Sequence, residues 1–393
     1  MTSPTGPAGT DAGVKPVDVA GIRFTVASRP QRRFSNTQTV NNTAGGSFQP
    51  IQLPATGFVR KLSLFFTATL TMSGSGALVT GDGPWNLIQN ITLTDATGQA
   101  IIQPISGFNL YLVNKYLSFG SVENTNRPQP WQSQQLGPDF NFASTTTTGT
   151  ATFRLDLDLE QDYNNGYGCI PNLDSNASLQ LKIDYAASTV AFGGTITAST
   201  LAVRVAQYYW APVGSTVGGV AASTQPVGFG DYVETRYETQ TVSASAENTV
   251  AVTNRGGLIK GMIAISRAAG VRTAYTAATN VGLLLDNNAI DEGIPLEEQQ
   301  DYLRRTYGYM GTDLTTSYAP ITTAGTVPGL DRGVMVWPFG AESGGRDSWL
   351  ATRVGSLLQF KITPGASATT LEIVTLLAQV KDAGSFYAPS ALN

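Results

Sequence analysis

Apolar and polar residues alternate along much of this chain with a period of two, the spacing of half-buried strands rather than helices. The alternation predicts strands at 38 to 40, 58 to 71, 88 to 94, 152 to 159, 178 to 185 and 201 to 209. Ala-Thr-Gly-Gln at 96 to 99 reads as a hairpin turn into a further strand at 100 to 105. From 107 to 118 the period changes, and Leu110, Val113 and Leu117 fall on one helical face. A second helix is predicted to start at Pro295. Glu297, Glu298 and Asp301 come early and Arg304 and Arg305 late, an order that suits the helix dipole, while Leu296, Leu303 and Tyr307 make its apolar stripe.

The pattern repeats. TQTV at 37 to 40 returns at 239 to 242, and FVRKLSLFF at 58 to 66 is matched by LIKGMIAIS at 258 to 266. YLVNKY at 111 to 116 is matched by YLRRTY at 302 to 307, LQLKI at 179 to 183 by LQFKI at 358 to 362, and TLAVRV at 200 to 205 by TLEIVT at 370 to 375. The five pairs keep one order, and their spacing shrinks steadily along the chain. This is the mark of a tandem duplication, the second copy being shorter between anchors. It divides the chain into an N-terminal arm (1–33), a first β-sandwich (34–212), a Gly/Pro-rich linker (213–230), a second β-sandwich (231–385) and a C-terminal tail (386–393), with one short helix on a connection in each sandwich. Periodicity alone does not choose between a jelly roll and another sandwich.

Composition narrows the function. The 393 residues suffice for two cores, and 42 Gly, 20 Pro and only 13% charged residues fit an all-β protein of short strands and turns. A net charge of −4 without a long Lys/Arg cluster gives no footprint for direct nucleic-acid binding. The absence of histidine removes the usual general base and the commonest metal ligand, which excludes His-dependent triads and cupin-type metal sites. The single cysteine, Cys169, allows no intrachain disulfide and no multi-cysteine zinc site. Neither a membrane-spanning run nor a signal-peptide core is found, so a soluble, unsecreted protein without cofactor, metal or enzymatic activity is expected.

Several features are weighed as sites. In RLDLDLEQD at 154 to 162, Asp156, Asp158 and Glu160 share one face of a strand. Carboxylates so placed suit glycoside hydrolysis or calcium, but with Leu155, Leu157 and Leu159 opposite them the ordinary reading is a solvated acidic face over an apolar core. DNNAIDEG at 286 to 293 lacks the glycine of a calcium loop and reads as a turn before the helix. The sequon at Asn90 lies in a predicted strand and is incidental. Trp85, Trp131, Trp210, Trp337 and Trp349 are too scattered for a sugar platform and are assigned to core or intersubunit packing. Long loops at 121 to 150 and 311 to 330 are candidates for outer towers. The arm carries Lys15, Arg23, Arg29, Arg32 and Arg33 against Asp11 and Asp18, a basic segment suited to anionic lipid or a neighbouring subunit, with a flexible terminus as the alternative.

From residue 83 the chain reads GPWNLIQNITLTDATGQAIIQPISGFNLYLVN. Gly83, Pro84, Asn86, Leu87, Ile88 and Gln89, then Ser106, Gly107, Phe108, Leu110, Leu112, Val113 and Asn114, form a pattern that resembles the major coat proteins of tectivirus-type bacteriophages, the double-jelly-roll lineage. Outside this segment the agreement is architectural. The resemblance implies two jelly rolls side by side in a major capsid protein. It further implies homotrimers acting as pseudo-hexagonal capsomers, and capsomer–capsomer contacts that tile an icosahedral virion capsid assembled in the host cytoplasm. Penton and minor capsid proteins are its implied partners, with an internal viral membrane below. Family N-termini are often helical; here Pro4, Pro7 and Pro16 argue against a helix. The competing readings are a carbohydrate-binding or carbohydrate-cleaving double β-sandwich and a minor or spike protein of the same virion.

Overall fold

The computed structural model describes residues 23 to 379 with interruptions, the longest at 118–138 and 308–330. Lys15, Trp131, most of both long loops and the C-terminal tail therefore lie outside the described residues. The first half supplies β1 (Gln38–Asn41), β2 in two short pieces (Gly46–Ser47 and Ile51–Gln52), β3 (Gly57–Met72), β4 (Ile88–Thr94), β5 (Ala100–Ile105), α1 (Gly107–Tyr116), β6 (Thr148–Asp158), β7 (Gln180–Tyr185) and β8 (Ile196–Ala211). They form two antiparallel sheets in the orders β1-β8-β3-β6 and β2-β7-β4-β5. Short strands Arg29–Phe34, Asp139–Asn141 and Ile170–Asn172 join the margins of the first.

The second half supplies β9 (Tyr232–Thr241), β10 (Asn248–Val252), β11 (Leu258–Ala268), β12 (Asn280–Leu285), β13 (Asn288–Pro295), α2 (Leu296–Tyr307), β14 (Val334–Pro338), β15 (Leu358–Ile362) and β16 (Thr370–Gln379). Its sheets run β9-β16-β11-β14 and β10-β15-β12-β13, so every strand occupies the place of its counterpart in the first half. Each half is an eight-stranded jelly roll, the choice that periodicity left open. The repeated strings are these counterparts: the Leu201 strand pairs with β1 and β3, and the Leu371 strand with β9 and β11.

Strand alternation builds both cores. Leu62, Leu64 and Phe66 of β3 point inward with Ile91, Leu93, Leu181, Ile183, Val203 and Val205, all almost fully buried. In the second half Met262, Ala264, Leu283, Phe360, Ile362, Leu371 and Ile373 do the same. Burying each large aliphatic side chain contributes roughly 1.5–3 kcal/mol, an upper figure because unfolded chains already bury some surface. Strand β11 departs from alternation, since residues 258 to 267 are all buried. Ile263 and Ile265 face away from its own sandwich and join the cluster of the first half, together with Val334, Val336, Val374 and Leu376. An outer sheet face that normally meets water is thus covered by the other half of the chain.

The segment at 286 to 293 is a hairpin rather than a turn into the helix. Asp286 and Asn287 have φ of 53° and 63°, the two left-handed positions of a type I′ turn between β12 and β13. The linker carries a small hairpin in which Thr216–Val217 pairs with Val220–Ala221 across Gly218 and Gly219, both at positive φ. The basic strand Arg29–Phe34 hydrogen-bonds along β8, with Arg29 opposite Ala211 and Phe34 opposite Ala206. Phe24, in the short helix before it, packs edge-on against Phe58 at 5.1 Å, so this part of the arm is docked on the first half.

Candidate functional site

The motif at 83 to 114 lies at the seam between the halves. Pro84 leads into a 3-10 turn, Trp85–Leu87, whose fully buried indole stacks on Tyr111 of α1 with ring centroids 3.7 Å apart. Ser106 caps α1 by accepting a hydrogen bond from the Asn109 amide at 3.2 Å. Gly107 lets the helix approach the turn: a Cβ there would stand 2.2 Å from the Trp85 carbonyl oxygen. The amide side chain of Asn86 donates to the Val190 carbonyl at 3.0 Å, and the Leu87 carbonyl accepts from the Ala186 amide. Asn114 completes the motif by donating to the Asp156 carbonyl at 2.6 Å and accepting from its amide at 2.8 Å, which ties α1 to strand β6. Gln89, by contrast, is exposed on β4.

All ten residues of α1 are buried, so the single apolar face expected from Leu110, Val113 and Leu117 understates the helix. Its remaining faces are covered because α1 lies between its own sandwich and the outer sheet of the second half. Leu110, Val113 and Leu117 line a small cavity with Val233, Thr235 and Leu376, and Gly261 leaves room for Leu117, whose Cδ2 would be 2.3 Å from any added Cβ. Lys115, directly after the motif, reaches across to Asp331 at 2.6 Å with side-chain exposures of 3% and 0%. Asp82, directly before the motif, accepts from Arg267 at 2.7 Å and Arg272 at 2.6 Å, and Arg267 also pairs with Glu372. Both guanidinium groups lie near the Phe108 ring, Arg272 at 4.7 Å. Lys260 donates to Gln161 at 2.7 Å across the same seam. At its end Tyr116 meets Tyr307, its own repeat counterpart, with centroids 5.6 Å apart and planes inclined at 62°.

Helix α2 holds the equivalent place on the second half but remains amphipathic. Leu296, Gln299, Leu303 and Tyr307 are buried, whereas Glu297, Glu298, Arg304 and Arg305 are exposed. Gln299 donates to the Val336 carbonyl of β14 at 3.0 Å, as Asn114 does to β6. No other element of the described chain covers its charged side as the second half covers α1.

The acidic stretch is not a solvated face. Asp156 is buried, pairs with Lys61 at 2.8 Å and accepts from Arg154 at 2.8 Å, while Asp158 meets the same lysine at 3.1 Å. Burial alone would raise the Asp156 carboxyl, but Lys61 and Arg154 outweigh it and hold it below the ordinary carboxylate value. Glu160 pairs with Arg60 and accepts from Trp210 at 3.2 Å and the Gly166 amide at 3.1 Å; its burial still pushes its carboxyl upward. These carboxylates are already committed to basic partners within the fold. Burial likewise drives the Cys169 thiol well up, away from thiolate reactivity. Among the described residues, no group of three or more His, Cys, Asp or Glu side chains is placed to hold a metal ion.

Among the described residues, nothing covers the outer face of the first sheet around Phe34 and Phe65. Arg29, Arg32 and Arg33 are exposed along their strand, and Arg23 stands before the short helix. Phe34 and Phe65 are 40% and 37% exposed, the first beneath Arg204 at 4.4 Å and Arg32 at 5.5 Å, the second beneath Arg154 at 5.4 Å. Sequence reading singled out the arm's arginines but missed this stripe, because its members come from four strands. Asp82, Lys115 and Asp331 were missed because each finds its partner far along the chain, in the other half.

No protein-family model matches the sequence, and no curated protein matches it. Solved structures do. The STIV MCP, from Sulfolobus Turreted Icosahedral Virus, superposes with a TM-score of 0.60 at 14% identity, covering 92% of this chain and 99% of that one. The Faustovirus major capsid protein gives a TM-score of 0.52 at 8% identity, with 90% of each chain covered. PBCV-1 VP54 gives 0.51 at 12% identity, covering 89% of this chain and 94% of that one. With both sandwiches matched along nearly their whole length, the chain is a double jelly roll with the fold of these viral major capsid proteins.

Proposed function

We propose that this chain is a major capsid protein that associates into homotrimers, each a pseudo-hexagonal capsomer of an icosahedral virion shell. The observation that carries the reading is the duplication itself: two jelly rolls of identical topology stand side by side in one chain across a tightly packed seam. Three such chains present six similar walls, so near-equivalent lateral contacts can tile a facet. The shared fold with viral major capsid proteins supports it, and the engagement of Asp156, Asp158 and Glu160 by basic side chains leaves the carbohydrate reading without a free carboxylate pair. Penton and minor capsid proteins, and an internal membrane met by the basic arm, belong to the same reading. Mass measurement in solution is expected to give a trimer, and electron microscopy of concentrated protein sheets or shells; a strict monomer at high concentration would overturn the proposal. Deleting residues 1 to 28 tests the arm separately: it is expected to impair shell formation while leaving the trimer intact.

A further inference from the structure

We infer that the small cavity at the seam between the two jelly rolls is a hydration site, in which water bridges the Asp158 carboxylate of the first half to the Thr235 hydroxyl of the second. The cavity has a volume of about 30 Å³, and a water needs roughly 10–15 Å³ of such space, so there is room for one or two. Apolar side chains form most of its wall, among them Val113 on one side and Val233 and Leu376 on the other. The polar residues that line it decide what it holds. Asp158 is the critical one. Its Oδ1 meets Lys61 at 3.1 Å, but its Oδ2 is shielded from solvent and receives no hydrogen bond among the described residues. A carboxylate oxygen left in that state is costly, and water in a cavity beside it supplies the missing donor.

The other polar side chains of the wall are engaged elsewhere. Lys61 gives its shorter contact, 2.8 Å, to Asp156. The Asn114 amide is clamped on the Asp156 main chain at 2.6 and 2.8 Å, and Gln161 donates to the Asp158 carbonyl at 2.5 Å and accepts from Lys260 at 2.7 Å. Asn114 and Gln161 both line the cavity, and each carboxamide nitrogen carries a second N–H that water can accept. Thr235 stands across the seam. The period of two puts it on the same face of β9 as Val233, and its partner on β16 is Leu376, so its hydroxyl sits in a wall built of aliphatic side chains. Valine has the same shape and would continue that wall unbroken. Threonine instead gives it one group that both donates and accepts.

Charge decides against other occupants. Lys61 and Arg154 already balance Asp156 and Asp158, so a cation finds no charge left to neutralise, and an anion would meet two carboxylates. An apolar guest would leave Asp158 Oδ2 unanswered. Water is neutral, donates to the carboxylate and accepts from the hydroxyl or the spare amide N–H groups. The seam thereby gains a solvent-mediated contact beside the direct Lys115–Asp331 pair. This site depends on how the two halves pack within one chain and not on the capsomer reading.

Crystals of the full chain provide the test. A map that resolves ordered solvent is expected to show water within hydrogen-bond distance of both Asp158 Oδ2 and Thr235 Oγ1, with no anomalous peak in the cavity after soaking in rubidium chloride and no xenon under pressure. Rubidium in the cavity would make it a cation site, and xenon in the parent crystal would make it a dry apolar void; either overturns the inference. Thr235→Val keeps the shape of the wall and is expected to lose the bridging water. In solution the same variant is expected to lose the long-lived component, roughly one or two waters, from the magnetic relaxation dispersion of the solvent. A dispersion identical to the parent's removes Thr235 from the site and with it the bridge. Should the variant not fold, the parent crystals and the two soaks decide by themselves. A wild-type monomer in solution overturns the capsomer reading and leaves this site standing.

Discussion

The ion pair between Lys115 and Asp331 joins the two jelly rolls where water has no access, and its worth can be measured by a double-mutant cycle. The charges stand 2.6 Å apart with side-chain exposures of 3% and 0%. At an effective dielectric of about 20 their attraction is roughly 6 kcal/mol, and desolvating the two ions costs several kcal/mol each, so the pair as a whole adds little net stability. Removing one partner is a different matter, because the other charge is then left buried. Lys115→Met or Asp331→Leu alone is expected to cost about 3–5 kcal/mol, whereas the double substitution is expected to fall within about 1 kcal/mol of the parent or above it. In thermal unfolding each single variant should melt about 5 °C lower. The seam should loosen first, so hydrogen exchange at the amides of 107 to 116 should rise in the single variants and return to the parent level in the double one. Additive losses in the double variant would refute the reasoning, since they would mean that each side chain is held by groups other than its partner.

Three further outcomes follow from the same geometry. Gly107→Ala must displace either the Trp85 carbonyl or α1, with an expected cost of about 1–3 kcal/mol and a red-shifted tryptophan emission from indole partly freed of its Tyr111 stack. Asn114→Leu keeps the volume but strands the Asp156 amide and carbonyl; a loss of about 1–3 kcal/mol in urea unfolding is expected, and an unchanged midpoint would count against the assigned hydrogen bonds. Because the Asp156 carboxyl is held below its ordinary value, its contribution is present above the unfolded value near 3.9 and is lost as pH falls through the lower folded value. Asp156→Asn should therefore be less stable than the parent at neutral pH, with the gap narrowing below about pH 4 in acid titration.

Much of the fold was legible because strands and repeats leave local marks. The strand at 88 to 94 and the hairpin into 100 to 105 stand where alternation put them, and the five repeated strings are counterparts in the two jelly rolls. The number of strands was not legible. β2 is two pieces of two residues, too short for any periodicity, and only its pairing with β7 reveals it. The acidic strand misled for a physical reason: alternation tells which residues share a face but not what stands over that face, and Lys61 and Arg154 neutralise carboxylates that sequence placed in water. Helix α1 misled likewise, since its second apolar surface meets residues more than a hundred positions away. The motif residues Gly107 and Asn114, and Trp85 at the variable position between Pro84 and Asn86, were visible in the string, while their use, one close approach, one clamp on β6 and one stack, required coordinates.

The doubly buried sheet β9-β16-β11-β14 has a consequence for biosynthesis. Residues 34 to 212 leave the ribosome first and can close both their sheets, but α1 must wait, half undressed, until the later half arrives. The later half has the opposite need: without its predecessor it would show water a wall of Ile263, Ile265, Val334, Val336, Val374 and Leu376. Expressed alone, residues 231 to 393 are expected to aggregate, and co-expression with the first half to rescue them. The order of the two copies along the chain thereby acts as a built-in chaperone, with the earlier copy waiting as the template on which the later one completes itself.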